Sequence, residues 1–234
     1  MRCTKKAFTL IELLVVIAII AIVAAILFPV FAQAKGASKK TAAMSNLNQI
    51  AKGVQLYLGD SDDHLPAKID TLPRWQGFDL LILIISDDSA TLVNNYQPYV
   101  KNKDVWFSPE DRLPKKGRTS YVFNGQLTYA WSMSEIPRPA EAIYMTDRSD
   151  IPSNLPDNLA FDEYHWWTFT ENPITNEDQL PGTLSPTNVV RGVSPNRYTG
   201  KVALYQFLDS HVKAMKFDQT WGDKNKNLHF ATKP

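Results

Sequence analysis

The residues best placed to do chemistry lie at the start of the chain. Lys5-Lys6-Ala7-Phe8-Thr9-Leu10-Ile11-Glu12 sets a small residue before an aromatic one, behind a basic stub and ahead of a carboxylate. Hydrolysis of the bond between Ala7 and Phe8 creates an α-amine on Phe8, and its charge complements Glu12. From Leu10 to Phe31, Glu12 is the only ionisable side chain. A carboxylate at membrane depth costs about 2.5–3.5 kcal/mol on insertion scales and is normally paired and functional. The Phe8 amine is the candidate partner, either about one helical turn away in the same chain or on a neighbouring chain, where the contact also sets axial register.

The other reactive side chains form no comparable pattern. His64, His165, His211 and His229 are the only histidines, and none shares a metal-binding spacing with another. Cys3 is the single cysteine and lies in the stub, so a chain cut after Ala7 has neither a disulfide nor a thiolate ligand. No apolar run precedes Cys3 to make it a lipoprotein site. Asp60, Asp62 and Asp63 offer oxygens to calcium, but the glycine and distal glutamate of a calcium loop are missing, so a solvated helix end is expected. There is no Gly-x-Ser-x-Gly elbow and no phosphate-cradling glycine loop. The expectation is a chain with no catalytic residue, no metal and no cofactor. Net charge is +1, with only the short pairs Lys39-Lys40 and Lys115-Lys116, which argues against a nucleic-acid partner.

The element that positions Phe8 and Glu12 is an apolar run from Phe8 to Phe31. It exceeds the roughly 20 residues a helix needs to cross a bilayer, and Arg2, Lys5 and Lys6 hold its start in the cytoplasm. A secretory signal peptide competes, because Ala32-Gln33-Ala34 is a small-x-small site, but its apolar core spans only about 7–15 residues and carries no acid. A plain anchor fits the length and leaves Glu12 unexplained. A buried core helix is disfavoured by the length of the run. Pro29 removes a backbone donor deep in this segment and marks a place where the helix kinks or melts locally.

Beyond Phe31 the pattern becomes amphipathic. Ala43, Leu47, Ile50, Ala51, Val54 and Leu58 recur at helical spacing, with Lys39, Lys40, Asn46, Asn48, Gln49 and Lys52 on the other faces. One helix from Phe8 to about Leu58 is expected, roughly 75 Å long at 1.5 Å per residue, with Gly36 and Gly53 as weak points and Gly59-Asp-Ser-Asp-Asp63 as its end. Thirteen prolines between Pro66 and Pro195 punctuate the remainder. The short β-like runs are Leu80 to Ile85, Val105-Trp106-Phe107, Ser120 to Phe123, Ala142 to Met145, Val202 to Phe207 and His211 to Phe217. Leu80 to Ile85 reads equally as a buried strand or a helical turn. The last two runs read as a hairpin turning at Asp209-Ser210. Ser149 to Gly200 is loop-rich and carries His165-Trp166-Trp167, which suits core packing or contact with a ligand or neighbouring subunit.

Lys5 to Glu12 resembles the class III signal of type IV pilins and type II secretion pseudopilins. The resemblance implies cleavage between Ala7 and Phe8 by a membrane-embedded prepilin peptidase, N-methylation of Phe8, and subunit docking through Glu12. Ala7 stands where the family usually has glycine, and a small residue still fits that peptidase. Pro29 is similar to the proline at which pilin helices unwind in assembled filaments. The body resembles pilin-like proteins of planctomycete- and armatimonad-type bacteria through Met44-Ser-Asn-Leu-Asn-Gln-Ile50, Tyr99-Val-Lys-Asn102, Ser120-Tyr-Val-Phe-Asn-Gly125, Pro137-Arg-Pro-Ala-Glu141 and Phe207-Leu-Asp-Ser-His-Val-Lys213. In those proteins a glycine occupies the Ser210 position, a histidine the Thr199 position, and cysteines often the Met44 and Ser108 positions.

The implied fold is α+β: a long N-terminal helix packed on a C-terminal antiparallel sheet. The expected parts are a leader (1–7), the membrane or filament-core half of the helix (8–32), its amphipathic half (33–59) and a β-rich domain (60–234). The resemblance implies a subunit of a type IV pilus-like filament, with a secretion pseudopilin as the alternative and an anchored ligand- or glycan-binding domain as the alternative of another class. Its partners are then copies of itself, the prepilin peptidase, an inner-membrane assembly platform and lipid. It resides first in the bacterial inner membrane and later in a surface filament.

Overall fold

The computed structural model describes residues 9–66, 90–111, 119–124, 127, 131–148, 163–164, 193–220 and 228–229. Two compact units divide the chain, Met1–Ser38 and Lys39–Pro234. Helix α1, Leu10–Asp60, runs through both without a break.

In the first unit α1 is built almost wholly from Leu, Ile, Val and Ala. β-branched side chains are mediocre helix formers in water, but in lipid the backbone must satisfy its own hydrogen bonds, which favours a helix regardless. Pro29 lies inside α1, and so does Gly36.

In the second unit the reading of the amphipathic half holds residue by residue. Ala43, Leu47, Ile50, Ala51, Val54 and Leu58 are all buried. The helix ends at Asp60, within the expected run Gly59 to Asp63. Leu58 carbonyl accepts from Ser61 and Asp63 N–H at 3.2 and 3.0 Å, while Asp62 and Asp63 take left-handed φ values of 50° and 59°. Aspartate tolerates that region better than most residues with a Cβ, so the acidic run is the stop signal.

Gly53 is a contact, contrary to its reading as a weak point. A Cβ there would stand 2.2 Å from Val100 Cγ2, and Val100 is buried with a stiff χ1. Gly53→Ala normally gains about 1 kcal/mol in a helix interior, but overpacking costs about 1–3 kcal/mol. The substitution is therefore expected to lower the urea midpoint of the full chain. Val100→Ala added to it should recover part of the loss; additive losses would refute the contact.

Five strands follow: β1 (Tyr121–Asn124), β2 (Ile143–Asp147), β3 (Glu163–Tyr164), β4 (Ala203–Phe207) and β5 (Val212–Met215). They form one sheet in the order β3-β1-β2-β4-β5. Four of them, β1, β2, β4 and β5, are joined antiparallel, with Tyr121 opposite Asp147 and Ala203 opposite Met215. These four make the expected antiparallel sheet, and the two-residue β3 adds to its edge by pairing with β1 in parallel. The hairpin of β4 and β5 is as expected, but its second strand stops at Met215. Phe217 instead opens the short helix α3, Phe217–Thr220, where Gln219 Oε1 accepts from Lys216 N–H at 3.1 Å.

Val105-Trp106-Phe107 is also corrected. It lies on and after a 3-10 turn, Lys103–Trp106, because the Asn102 side chain accepts from Asp104 N–H at 3.0 Å and bends the chain. Leu80 to Ile85 falls outside the described residues, as do His165, Trp166 and Trp167.

Both sheet faces are covered. The first packs Tyr121, Phe123, Tyr144 and Leu204 against Leu47, Ile50 and Val54 of α1, together with Trp106 and with Leu92 and Tyr96 of helix α2, Ala90–Tyr96. The Tyr96 and Tyr144 hydroxyls meet within this layer. The second face gathers Ile143, Ala203, Tyr205, Phe207 and Met215, with Leu228 packed on it. Along β4, Ala203, Tyr205 and Phe207 lie on this second face and Leu204 on the first, and all four are buried.

Candidate functional site

The described chain begins at Thr9, so Ala7 and Phe8 lie outside it. Thr9 and Glu12 cap the start of α1 reciprocally. Thr9 Oγ1 accepts from Glu12 N–H at 3.3 Å, and Glu12 Oε2 accepts from Thr9 N–H at 2.9 Å. Thr9 Oγ1–H also donates to Glu12 Oε2, at 2.7 Å. This is a capping box, Thr-x-x-Glu, in which two otherwise orphaned backbone donors are satisfied by side chains. Reading Glu12 only as an acid in an apolar run passes over that local role, although the spacing was there to find. Both side-chain bonds end on Oε2, and among the described residues Oε1 receives none.

Behind the cap, every large apolar side chain from Leu10 to Phe31 is at least 46% exposed. The helix is long and apolar enough to cross a membrane. Fully burying such a side chain is worth about 1.5–3 kcal/mol, so this surface demands lipid or protein around it. Residues 2–28 match the family described as the prokaryotic N-terminal methylation motif. That match supports a type IV pilin-like protein. No curated protein and no solved structure matches it. Its long helix and C-terminal four-strand antiparallel arrangement are pilin-like as well, and the motif is that of structural proteins processed at this terminus.

A second polar constellation of the pilin-like body was not legible in the sequence. Asp147, at the end of β2, is wholly buried. Its Oδ1 accepts from Tyr198 Oη–H at 2.9 Å and its Oδ2 from Leu204 N–H at 2.8 Å. Arg197 Nε lies 3.6 Å from Oδ1. Asp111 pairs with Arg148 at 2.8 Å and stands 3.8 Å from Arg197, and Arg197 Nη2 also donates to the Arg148 carbonyl. Burial, then the Asp147 charge, pushes the Tyr121 and Tyr198 phenols far above their ordinary range. The cluster clips residues 193–198 to the sheet, which is a structural task. In sequence, Asp147-Arg148 after an apolar strand looks like any solvated strand end.

The remaining candidates are accounted for locally. Tyr99 Oη–H donates to Asp60 Oδ2 at 2.9 Å, and Asp62 and Asp63 shape the helix stop. Among the described residues no three His, Cys, Asp or Glu side chains are placed to hold a metal. His211 stacks on Phe207 with ring centroids 4.1 Å apart, and its Nδ1 lies 2.5 Å from Asp209 Oδ1. That contact shapes the β4-β5 turn, where Ser210 takes φ 79°, a conformation that suits the glycine of the proteins this hairpin resembles. Ser108, at one of the cysteine positions, is buried and bonds the Tyr198 hydroxyl at 3.1 Å.

Proposed function

We propose that the chain is a structural subunit of a type IV pilus-like filament, released from its leader between Ala7 and Phe8 and methylated on Phe8. The observation that carries this is the contrast between the two units. The described residues from Lys39 onward already bury an apolar core on both faces of a sheet, whereas Leu10 to Phe31 leave their side chains exposed. Before assembly lipid covers that surface; in a filament the helices of neighbouring copies cover it.

Glu12 then serves twice. Its Oε2 holds the Thr9 cap, and its Oε1 is open to the Phe8 amine of the same chain or of a neighbouring copy. Pro29 lies on the same stretch of α1 as the packed surface and gives it a point of local unwinding. The prepilin peptidase, the inner-membrane assembly platform and other copies of the chain are the partners this route requires, and a surface filament is its end point.

Intact-mass analysis of the mature protein tests the reading. A chain beginning at methylated Phe8 is expected. One beginning at Lys35 after Ala34 would mean ordinary secretion and would overturn it.

A further inference from the structure

Among the described residues, the cover on the second sheet face is held at one ionisable residue, His229. Ile143 N–H donates to the Leu228 carbonyl at 2.8 Å, Leu228 N–H to the Thr220 carbonyl at 3.0 Å, and Asn124 Nδ2 to the His229 carbonyl at 2.9 Å. The His229 side chain is fully buried, its ring centroid 6.0 Å from that of Tyr205 and 5.9 Å from that of Phe217, with Nε2 3.0 Å from Thr220 Oγ1. We infer that His229 is an acid-released latch, whose protonation frees Leu228 and His229 from β1, β2 and α3 and uncovers Ile143, Tyr205 and Phe207. This goes beyond filament assembly and is independent of it.

Among the described residues, the groups that face the ring are neutral. From β4 it is faced by Tyr205, whose phenol burial keeps protonated. From α3 come Phe217 and the Thr220 hydroxyl, and from β1 the neutral Asn124 amide. Two carboxylates, Asp147 on β2 and Asp218 on α3, act on Tyr205. Asp147 itself is engaged by Tyr198 and Leu204 N–H. Burial pushes the imidazole down from 6.5 to about 3. A depressed folded-state value means the latch is fully held above about pH 6.5 and loosens as pH falls toward 3. Each pH unit in that window raises the open population about tenfold, giving about a hundredfold near pH 4.5.

Hydrogen exchange on the full chain in detergent micelles, corrected for intrinsic rates, tests this between about pH 7 and about pH 4.5. Protection of the Ile143 and Leu228 amides is expected to fall about a hundredfold, while the Val100 and Ser120 amides, bonded to Tyr96 and Trp106 carbonyls, hold theirs. Equal loss at all four means global acid unfolding and overturns the latch, as does unchanged protection at Ile143. His229→Gln keeps a polar group beside Thr220 and cannot titrate here, so its protection should be flat with pH; the same acid loss in that variant also overturns the proposal. Should His229→Gln fail to fold, the tenfold-per-unit slope confined to two wild-type amides still decides.

Discussion

A chain carrying Glu12→Val is expected to accumulate in the membrane at the wild-type level while the yield of sheared filaments falls by about a hundredfold or more. Insertion should not suffer, because valine removes a carboxylate that costs about 2.5–3.5 kcal/mol at membrane depth. Assembly should suffer because the Phe8 amine is then buried between helices without its counter-charge. Breaking a buried pair costs about 3–5 kcal/mol, and each 1.4 kcal/mol is about a factor of ten. The capping box supplies a rival explanation, since Glu12 also accepts from Thr9 N–H. Two further variants separate the causes. Thr9→Val removes the hydroxyl that bonds Glu12 at about 1 kcal/mol, and should keep filament yield within about tenfold of wild type. Glu12→Gln keeps an acceptor for the cap and loses the charge, so it should fail as the valine variant does. Abundant filaments from Glu12→Val would end the assembly reading.

How much of this could be read in the sequence depends on how local the cause is. The buried stripe of α1 from Ala43 to Leu58 was legible because helical periodicity alone decides which residues face inward. The hairpin from Ala203 to Met215 was legible for the same reason, with period two in place of 3.6. Trp106 misled because Asn102 captures Asp104 N–H, and a single side-chain bond converts an apolar triplet from strand to 3-10 turn. The parallel pairing of β3 with β1 and the ion cluster joining Asp111, Asp147, Arg148 and Arg197 were illegible, since each joins residues dozens of positions apart. Charge at those positions says only that a partner must exist if the group is buried, and burial is a product of the fold. Thr9 is a different case: the capping box is fully local, and the apolar context drew attention from the spacing.

The same contrast between local and long-range causes predicts two ways to lose filaments. Asp147→Asn should destabilise the body by about 3–5 kcal/mol, a large part of the roughly 5–15 kcal/mol that holds a domain together. Asparagine has nearly the same shape, but its amide can replace only one of the two acceptors that Tyr198 and Leu204 N–H use. It also withdraws the charge beside Arg197, a side chain only 1% exposed. Tyr198→Phe, which deletes the hydroxyl and leaves the carboxylate, should cost only about 1–2 kcal/mol. Urea unfolding of the full chain in micelles, followed through buried Trp106, measures both. Equal, small losses would show that the charge at Asp147 contributes little. In cells both Asp147→Asn and Glu12→Val should abolish filaments, by opposite routes: a body short of about 3–5 kcal/mol populates unfolded chains open to proteolysis, so total protein falls, whereas Glu12→Val leaves the body intact and total protein unchanged. Measuring steady-state protein beside filament yield therefore places each residue on its own step, Asp147 in folding the body and Glu12 in joining one body to the next.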